Sequence, residues 1–515
     1  MAGYDRRRFL VRAAGATAGA ALAGLAGPLD PAAGAVSPAP GGASAGGLGP
    51  SLGGGSGGPP GLVGARTLFR WVEEMADLGP RFVGGTAHRR YLRMVERRLE
   101  SYGLEVRRHP VPLDQWEARS WSLEVTDARG GAHTIPVAYH RPYSGETTRH
   151  GVRGELVDVK AGLAADYAGK EVNGRIVVAD FAFPRIPFGA VFPLADHIHR
   201  PGQAAELAAE DYTRIWQSTP ARPSLDLAKQ NGAIAMIDVV DLVPEHARGQ
   251  FSPHQQPRAG LPALHLDKVQ GRRLRELMAE GPVTATLTLR ARTRSSTIDY
   301  LTAELPGNGS LPGAVMVGTH TDGQNAIEEN GVPAVLALAK YLTRLPRAGR
   351  PRDVVLVLSP NHMNSHQDSP DLRTWLERHP GIRDRLVASL VPEHLGALGW
   401  AENATTGEYG PTGRSEPAVI GTGNSAALTA LVVDQVKRDD LGRTAVLKPF
   451  NGGLYGEATY PYQLGIPTAT LISGPTYLVQ VSEDGALDRI DRDLMHRQTV
   501  FLAHLLTRML ALPAY

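Results

Sequence analysis

Residues 314–331, AVMVGTHTDGQNAIEENG, constrain the fold of this chain more than any other stretch. The apolar, β-branched run over 314–319 predicts a short buried strand. Residues two apart on an extended chain point to the same side, so His320 and Asp322, which end this strand, are expected to face one point. An acidic loop follows, and the side chains near the strand end that can bind a metal are His320, Asp322, Glu328 and Glu329.

These four side chains predict a metal site at a strand end. In open α/β sheets, ligands bind outside the carboxyl ends of the strands. One imidazole and three carboxylates suit a divalent metal that takes nitrogen and oxygen ligands. The chain has no cysteine, which excludes disulfides, thiolate metal sites and a cysteine nucleophile. The alternative is that Asp322 fixes the tautomer of His320 beside a solvated acidic loop.

Length and charge limit the classes of protein to consider. At 515 residues the chain is too long for one ordinary core, so two domains are expected. Charged residues make up 21% and hydrophobic residues 42%, as is typical of a globular protein. The net charge of +2 gives no reason to expect nucleic acid or a membrane surface as a partner.

The N-terminus has the features of an export signal. In residues 5–11, DRRRFLV, paired arginines are followed one residue later by Phe-Leu, and a weakly apolar run over 13–27 comes next. This arrangement resembles a twin-arginine signal. We therefore predict a signal peptide over 1–35 and an exported protein that is extracellular, periplasmic or associated with the cell wall.

The apolar run is shorter than the ~20 strongly apolar residues of a membrane span, so no stable membrane insertion is expected after cleavage. Residues 36–64 are rich in Gly, Pro, Ser and Ala and predict a disordered linker. The folded part then begins with helical spacing over 66–76 and 88–102.

The chain between 134 and 291 predicts a β-rich domain, because short apolar runs alternate with prolines and turn residues. A short helix with Ser224 as its N-cap is expected within it. His197 and His199 are expected in a solvated loop, with a functional role as the alternative. The strands predicted up to residue 237 are 104–106, 122–125, 154–158, 174–180 and 232–237.

After residue 291 strands alternate with helices, which predicts an α/β fold with a mostly parallel sheet flanked by helices. The β-rich block is then an insertion, and the α/β domain comprises residues 65–133 and 292–515. Strands are predicted over 299–304, 314–319, 354–358, 386–391, 418–420 and 468–472. Helices are predicted over 333–345, 426–437 and 492–510.

Polar side chains follow several of these strands. Asn361-His362 comes after 354–358, and Glu393-His394 comes after 386–391. If the strands are parallel, these residues share one edge of the sheet with His320. A second metal ion about 3.5–4 Å from the first would help to polarise a carbonyl group and to supply hydroxide.

At these positions the chain resembles the di-zinc exopeptidases of the bacterial leucyl aminopeptidase and glutamate carboxypeptidase type. His320 and Asp322 are similar to the family's His-x-Asp, and Glu329-Asn330-Gly331 to its Asp-Asn-Gly. The resemblance runs from about residue 67 onward and implies a protease-associated domain over 134–291. It also implies one or two zinc ions, with His320 as a ligand, Asp322 orienting it, Glu329 bridging and Glu393 completing the first set.

The chain departs from the family at two places. The family's Glu-Glu pair is replaced by Asn361-His362, where His362 can serve as a ligand but no carboxylate remains. The family's C-terminal ligand His is replaced by Thr476-Tyr477, so a substitute ligand is needed. The candidates for that substitute are Glu457, His394 and His366.

Together these features predict an exported zinc-dependent hydrolase that acts on peptides or N-acylated amino acids. The predicted metal ligands are His320, Glu329, His362 and Glu393. The predicted catalytic residues are Glu328 or Glu329 as general base and Asp322 as the orienting acid. The alternative is a catalytically impaired relative that binds a peptide or a cell-wall ligand.

Overall fold

The computed structural model describes residues 58–183, 185–200, 204–254, 258–364 and 369–515. The predicted signal peptide and the predicted linker up to residue 57 lie outside these residues. The last part of the predicted linker is described, and there Val63 is buried in the core. No helix among the described residues is both long enough and apolar enough to cross a membrane.

The predicted helices are confirmed to within a few residues at their ends. Ser224 is the predicted N-cap, and its hydroxyl oxygen accepts a hydrogen bond from the amide of Leu227. The α-helices of the described residues are α1 Ala65–Ala76, α2 Thr86–Glu100, α3 Ala204–Ala209, α4 Leu225–Gln230, α5 Pro244–Ala247, α6 Lys268–Ala279, α7 Gly331–Arg344, α8 Leu372–Arg378, α9 Pro380–Arg383, α10 Ala426–Arg438, α11 Thr459–Gln463 and α12 Arg492–Ala511.

The strands lie almost entirely in one large sheet. They are β1 Val106–Thr126, β2 Ala132–Thr134, β3 Tyr139–His140, β4 Val152–Asp158, β5 Ile176–Phe181, β6 Ala195–Ile198, β7 Ala235–Val240, β8 Ala263–Leu266, β9 Thr284–Leu305, β10 Ala314–His320, β11 Asp353–Ser359, β12 Leu386–Pro392, β13 Leu398–Glu402, β14 Tyr409–Ser415, β15 Ala418–Gly423, β16 Thr444–Leu447 and β17 Thr468–Ser473. Only β13 and β14 form a separate pair within the described residues.

The large sheet is mixed, with the order β3-β8-β7-β5-β4-β9-β11-β10-β12-β17-β15-β16-β6, and β1 pairs with β9 and β2. The pairs β11–β10, β10–β12 and β12–β17 are parallel, so these four strands end at the same edge. Helix α7 packs against β10 and β12 and is buried on nearly all sides, as its apolar sequence requires. The sheet flanked by helices confirms the predicted α/β fold.

Two long strands differ from the prediction. The strands predicted at 104–106 and 122–125 belong to one strand, β1, and the strand predicted at 299–304 is the end of β9. β1 and β9 pair with each other along their whole length, with one register shift between Ala118 and Ser120. The middle of β9 is exposed and polar, and in β1 the buried Val111 and Leu113 alternate with prolines and charged residues, so neither strand has the apolar run by which a strand is recognised.

The predicted loop around His197 is wrong. His197 lies in β6, which pairs antiparallel with β16 at the edge of the sheet. His199 follows the strand, and its amide donates to the carbonyl oxygen of Thr444 while its ring nitrogen Nε2 lies 2.7 Å from Oδ1 of Asp440. Backbone pairing with a neighbouring strand fixes this segment, and its own sequence carries no strand signal.

Candidate metal centre

The parallel strands bring the predicted site residues together at one edge of the sheet. His320 is the last residue of β10, and its register partner Ser359 ends β11, three residues before His362. Glu393 and His394 directly follow β12. His394 has a positive φ of 54°, a sharp turn that lets two consecutive side chains reach the same pocket.

Hydrogen bonds fix the ring orientation of two of the histidines. Nδ1 of His320 lies 2.8 Å from the carbonyl oxygen of Asp322, and Nδ1 of His394 lies 2.8 Å from the carbonyl oxygen of Ser473. A carbonyl oxygen can only accept, so each Nδ1 carries the proton and each Nε2 presents a lone pair. Backbone partners of this kind orient metal-binding histidines in many proteins.

The two Nε2 atoms meet carboxylate oxygens that have no hydrogen-bond donor. Oε2 of Glu393 lies 3.7 Å from Nε2 of His320 and 3.8 Å from Nε2 of His394, and Oε2 of Glu328 lies 3.6 Å from Nε2 of His394. All four atoms are buried and lack a hydrogen-bond partner. Four buried acceptors facing one another are unfavourable unless a proton or a cation lies between them.

The spacing of these atoms fits a metal ion. Ligand atoms about 2.0–2.2 Å from zinc in tetrahedral geometry lie about 3.3–3.6 Å apart. Two groups of described residues have ligand atoms that all lie within 4.8 Å of one another, His320 with Glu328 and His362, and His320 with Glu393 and His394. The chain therefore contains His/Glu groups that can hold a metal, and both include His320.

Burial shifts the titration of the whole cluster. It lowers the pKa of His320 to about 3 and of His394 to about 4, so both rings are neutral at physiological pH. It raises the pKa of Glu393 to about 8 and that of Glu328 well above its usual range, the second with a further contribution from the negative charge of Glu393. Without a cation, the pocket therefore retains protons on its acids at neutral pH.

Glu457 supplies a further carboxylate from a distant part of the chain. Its Oε1 lies 2.8 Å from Nδ1 of His362, and its amide donates to Oε1 of Glu393 at 2.8 Å. The preceding residue is glycine by necessity, because a Cβ on Gly456 would collide with the carboxylate of Glu393. Oε2 of Glu457 is buried and has no hydrogen-bond partner.

Asp322 holds the loop after β11. Its Oδ1 accepts from the amide of His362 at 3.0 Å, and its Oδ2 accepts from the amide of Met363 at 2.5 Å. The carboxylate lies 4.0 Å from Nδ1 of His320, whose hydrogen bond goes instead to the backbone oxygen of Asp322. Asp322 therefore contacts both sides of the pocket, through its main chain and its side chain.

Glu329 belongs to neither of the two candidate groups, although its Oε2 is also buried without a hydrogen-bond partner. Its Oε1 accepts from Nε of Arg81, and both side chains are fully buried. Arg81 also donates to the carbonyl oxygens of Met75 at 3.3 Å and of Asn325 at 2.8 Å. The partner of Glu329 in the structure is thus a guanidinium from the loop between α1 and α2.

The structure brings together His320, His362, Glu393 and Glu328, and places Glu329 beside Arg81. Of the proposed substitute ligands, His394 and Glu457 lie in the pocket, and His366 lies outside the described residues. The strand-end position of His394 next to Glu393 is a signal for its role, whereas Glu457 follows no strand. Sequence reasoning did not single out Arg81.

A histidine from the predicted inserted domain also reaches this pocket. Nε2 of His254 lies 2.9 Å from the carbonyl oxygen of His362, so it carries a proton and donates. The rings of His254 and His362 are 4.8 Å apart between centroids, and those of His362 and His320 are 4.3 Å apart and stacked. The pocket therefore has walls from both parts of the chain.

Solved structures share this fold. The chain is similar to a peptidase M28 precursor from Shewanella amazonensis SB2B, with a TM-score of 0.62, 18% identity and coverage of 87% of this chain and 96% of that one. It is also similar to BSAP, a zinc aminopeptidase from Bacillus subtilis, with a TM-score of 0.59, 14% identity and coverage of 86% and 95%. The chain is similar as well to an aminopeptidase from Aneurinibacillus sp. strain AM-1, with a TM-score of 0.56, 16% identity and coverage of 86% of this chain and 93% of that one.

No family model matches the chain, and no curated protein matches it. At these low identities the likeness to solved structures demonstrates a common fold. The predicted α/β architecture, a sheet flanked by helices, is thereby confirmed.

Proposed function

We propose that the protein is an exported, metal-dependent hydrolase of the exopeptidase type that acts on peptides or N-acylated amino acids. One observation carries the proposal, namely the four buried acceptor atoms of His320, Glu328, Glu393 and His394 at metal-ligand spacing. The shared fold with solved structures described as zinc aminopeptidases and an M28 peptidase supports it further.

The residues divide into ligands and a proton acceptor. His320, Glu393 and His394 would hold the metal, and Glu328 and His362, which form the second candidate group with His320, lie beside them. Zinc bound there would supply a Lewis acid for a carbonyl group and a water molecule of lowered pKa. Glu328 would accept a proton from that water and pass it to the leaving amine, a role that contributes about 10²–10⁴-fold in rate. Glu328 fits this role better than Glu329, whose charge Arg81 neutralises.

The test compares histidines in and outside the pocket. His320→Ala and His394→Ala should each lose bound zinc and hydrolysis of a panel of aminoacyl-4-nitroanilides and N-acetyl amino acids. His150→Ala, a change at an exposed histidine, is the matched control and should keep both. Full hydrolysis by His320→Ala, or hydrolysis that persists in excess chelator, would contradict the proposal.

A specific feature supports the alternative of a catalytically impaired relative that binds a ligand. Asn361 stands where a carboxylate is expected, and its amide is occupied by hydrogen bonds to Oγ of Ser369 at 2.9 Å and to the carbonyl oxygen of Pro370 at 2.6 Å. This alternative predicts that peptides bind without turnover and that chelators leave their affinity unchanged. Calorimetric titration of a peptide with and without EDTA distinguishes the two functions.

Export forms a separate part of the proposal. It rests on the paired arginines, Arg6 and Arg7, followed by Phe9-Leu10 and a weakly apolar run. The double change Arg6→Lys and Arg7→Lys should stop export of the full chain, and N-terminal sequencing of the exported wild-type protein should begin near Val36. Unchanged export of the double variant would contradict the twin-arginine route.

A further inference from the structure

We infer that this pocket binds one divalent metal ion, and that Arg81 takes the place of a second one by neutralising Glu329. The inference rests on the proposed function, because it concerns the same metal site. The resemblance noted above implies one or two zinc ions with Glu329 as the bridging acid. The inference differs in limiting the number of ions to one and in giving Glu329 a guanidinium as its partner.

The first argument concerns His320. Both candidate groups among the described residues contain it. Its Nδ1 is occupied by the carbonyl oxygen of Asp322, so only Nε2 can bind a metal. One nitrogen lone pair binds one ion, so the two groups cannot be filled at the same time and converge on a single ion.

The second argument concerns the charge on Glu329. A bridging carboxylate supplies negative charge to two cations, but the charge of Glu329 is already matched by a buried guanidinium. Arg81 is charged at neutral pH, because a guanidinium does not lose its proton in proteins. Three backbone carbonyl oxygens, those of Met75, Gly79 and Asn325, also hold the guanidinium in place. A second metal at Glu329 would therefore have to bind Oε2, the oxygen without a hydrogen-bond partner, directly beside a fixed, like-charged group.

The third argument concerns the positions where the resemblance expects further ligands. The side-chain nitrogen of Asn361 donates to Oγ of Ser369 and to the carbonyl oxygen of Pro370. Its Oδ1 accepts from the hydroxyl of Tyr300 at 3.0 Å. The hydroxyl of Tyr477 lies within hydrogen-bond distance of the carbonyl oxygens of Leu398 and Arg489, at 2.8 and 2.9 Å. Neither side chain is available to a second ion.

The test is a metal count on the full chain. Protein loaded with excess zinc and then freed of unbound metal should contain one zinc per chain by native mass spectrometry. Titration of the metal-free protein with Co²⁺ should bring the visible absorption to its maximum at one equivalent. Two bound ions would overturn the inference and leave the proposed hydrolase intact, whereas no bound ion would overturn the proposed function itself.

A double variant tests the part assigned to Arg81. Arg81→Met with Glu329→Gln removes the buried charge pair together, and it should still bind one zinc ion with an affinity within about tenfold of the wild type, because Glu329 is not a ligand. The matched comparison is Glu393→Gln, which should weaken zinc binding at least about 100-fold. Loss of zinc from a double variant that melts cooperatively would show that Glu329 binds metal and would overturn the inference.

If the double variant does not fold, the cobalt titration of the wild-type chain still decides the count. A single site gives one spectral change with one endpoint, while two neighbouring sites give a second change beyond one equivalent. The second result would overturn the inference whatever the behaviour of the variants.

Discussion

Glu393 and Glu402 are both nearly inaccessible to solvent, yet their surroundings have opposite effects. Glu402, at the end of β13, accepts hydrogen bonds from the ring of His246, the amide of Val243 and Nζ of Lys268, at 2.9, 3.0 and 2.9 Å. Burial by itself raises the pKa of Glu402, but these partners outweigh it and lower the pKa to about 2. Burial raises the pKa of Glu393 to about 8, because a single amide, from Glu457, donates to it.

The difference lies in the donors. The surroundings of Glu402 supply three hydrogen-bond donors, which satisfy an ionised carboxylate. The result is a stable contact between the β13–β14 hairpin and the predicted inserted domain. The surroundings of Glu393 supply mostly lone pairs, from His320 and His394. A buried acid with full partners supports the fold, whereas a buried acid that faces acceptors requires a proton or a cation.

The largest expected effect comes from making the same substitution at both sites. Glu393→Gln should weaken zinc binding at least about 100-fold and abolish hydrolysis, because the amide removes the negative charge of a proposed ligand. Glu402→Gln should leave both within about twofold. Metal content after dialysis and turnover of one aminoacyl-4-nitroanilide provide the two readouts. Equal losses in both variants would remove the distinction between the sites.

The stability of the metal-free protein should depend on pH in a direction set by the pocket. Glu393 has a folded pKa of about 8, and Asp322 has one raised by burial to about 7, so both hold protons that the unfolded chain releases. His320 and His394 are neutral in the folded state, whereas in the unfolded chain they release their remaining protons between pH 6.5 and 8, which offsets part of this effect. The free energy of unfolding should therefore fall by about 1–2 kcal/mol as the pH rises from about 6.5 to about 8.

Urea unfolding at several pH values, with and without zinc, measures this dependence. Zinc should abolish the fall, because the carboxylates are then stabilised in their charged form. A metal-free protein whose stability is constant or rises over this interval would show that the pocket acids are already ionised.

Glu402 should produce a smaller effect with the opposite sign. Its folded pKa lies below that of the unfolded chain, so its contribution is complete above about pH 4.5 and disappears as the pH falls toward about 2. Glu402→Gln should lower the free energy of unfolding by about 1 kcal/mol at pH 6, and the difference from the wild type should vanish near pH 2. A constant difference over this range would mean that the ionised carboxylate does not stabilise the contact.

Lys268→Met should give the smallest change. Lys268 is 34% exposed, and its ion pair with Glu402 is expected to contribute about 0.2–1 kcal/mol. The effect should decrease in 1 M salt, as solvent-accessible ion pairs do. Thermal melting of the variant and of the wild type at low and high salt measures both quantities, and a salt-independent loss would point to packing of the lysine stem instead.

The sequence predicts those parts of the fold and site that local patterns determine. Apolar runs locate β10, β11 and β12, and the residues that follow them identify His320, His362 and Glu393 as neighbours. The α/β fold follows from the alternation of strands and helices and is confirmed. The specific metal ligands and catalytic residues remain predictions.

Other features depend on contacts between distant segments. Arg81 and Glu329 are separated by 248 positions, and nothing near Arg81 in the sequence indicates a buried ion pair. Glu457 reaches the pocket because Gly456 allows the backbone to approach Glu393 closely. The sequence predicts β1 only near its two ends and β9 only at its C-terminal end, because prolines and charged residues interrupt β1 and the middle of β9 is polar and exposed.

This pairing has a mechanical consequence. β9 is hydrogen-bonded to β4 near its start and to β11 near its end, so the β-rich region and the region that carries the pocket share one continuous ladder. Two regions joined by a flexible loop can move relative to each other. An uninterrupted strand limits such motion, because it resists bending within the plane of its sheet. The spacing between these two regions, which also meet where Nε2 of His254 donates to the carbonyl oxygen of His362, is therefore set when the chain folds.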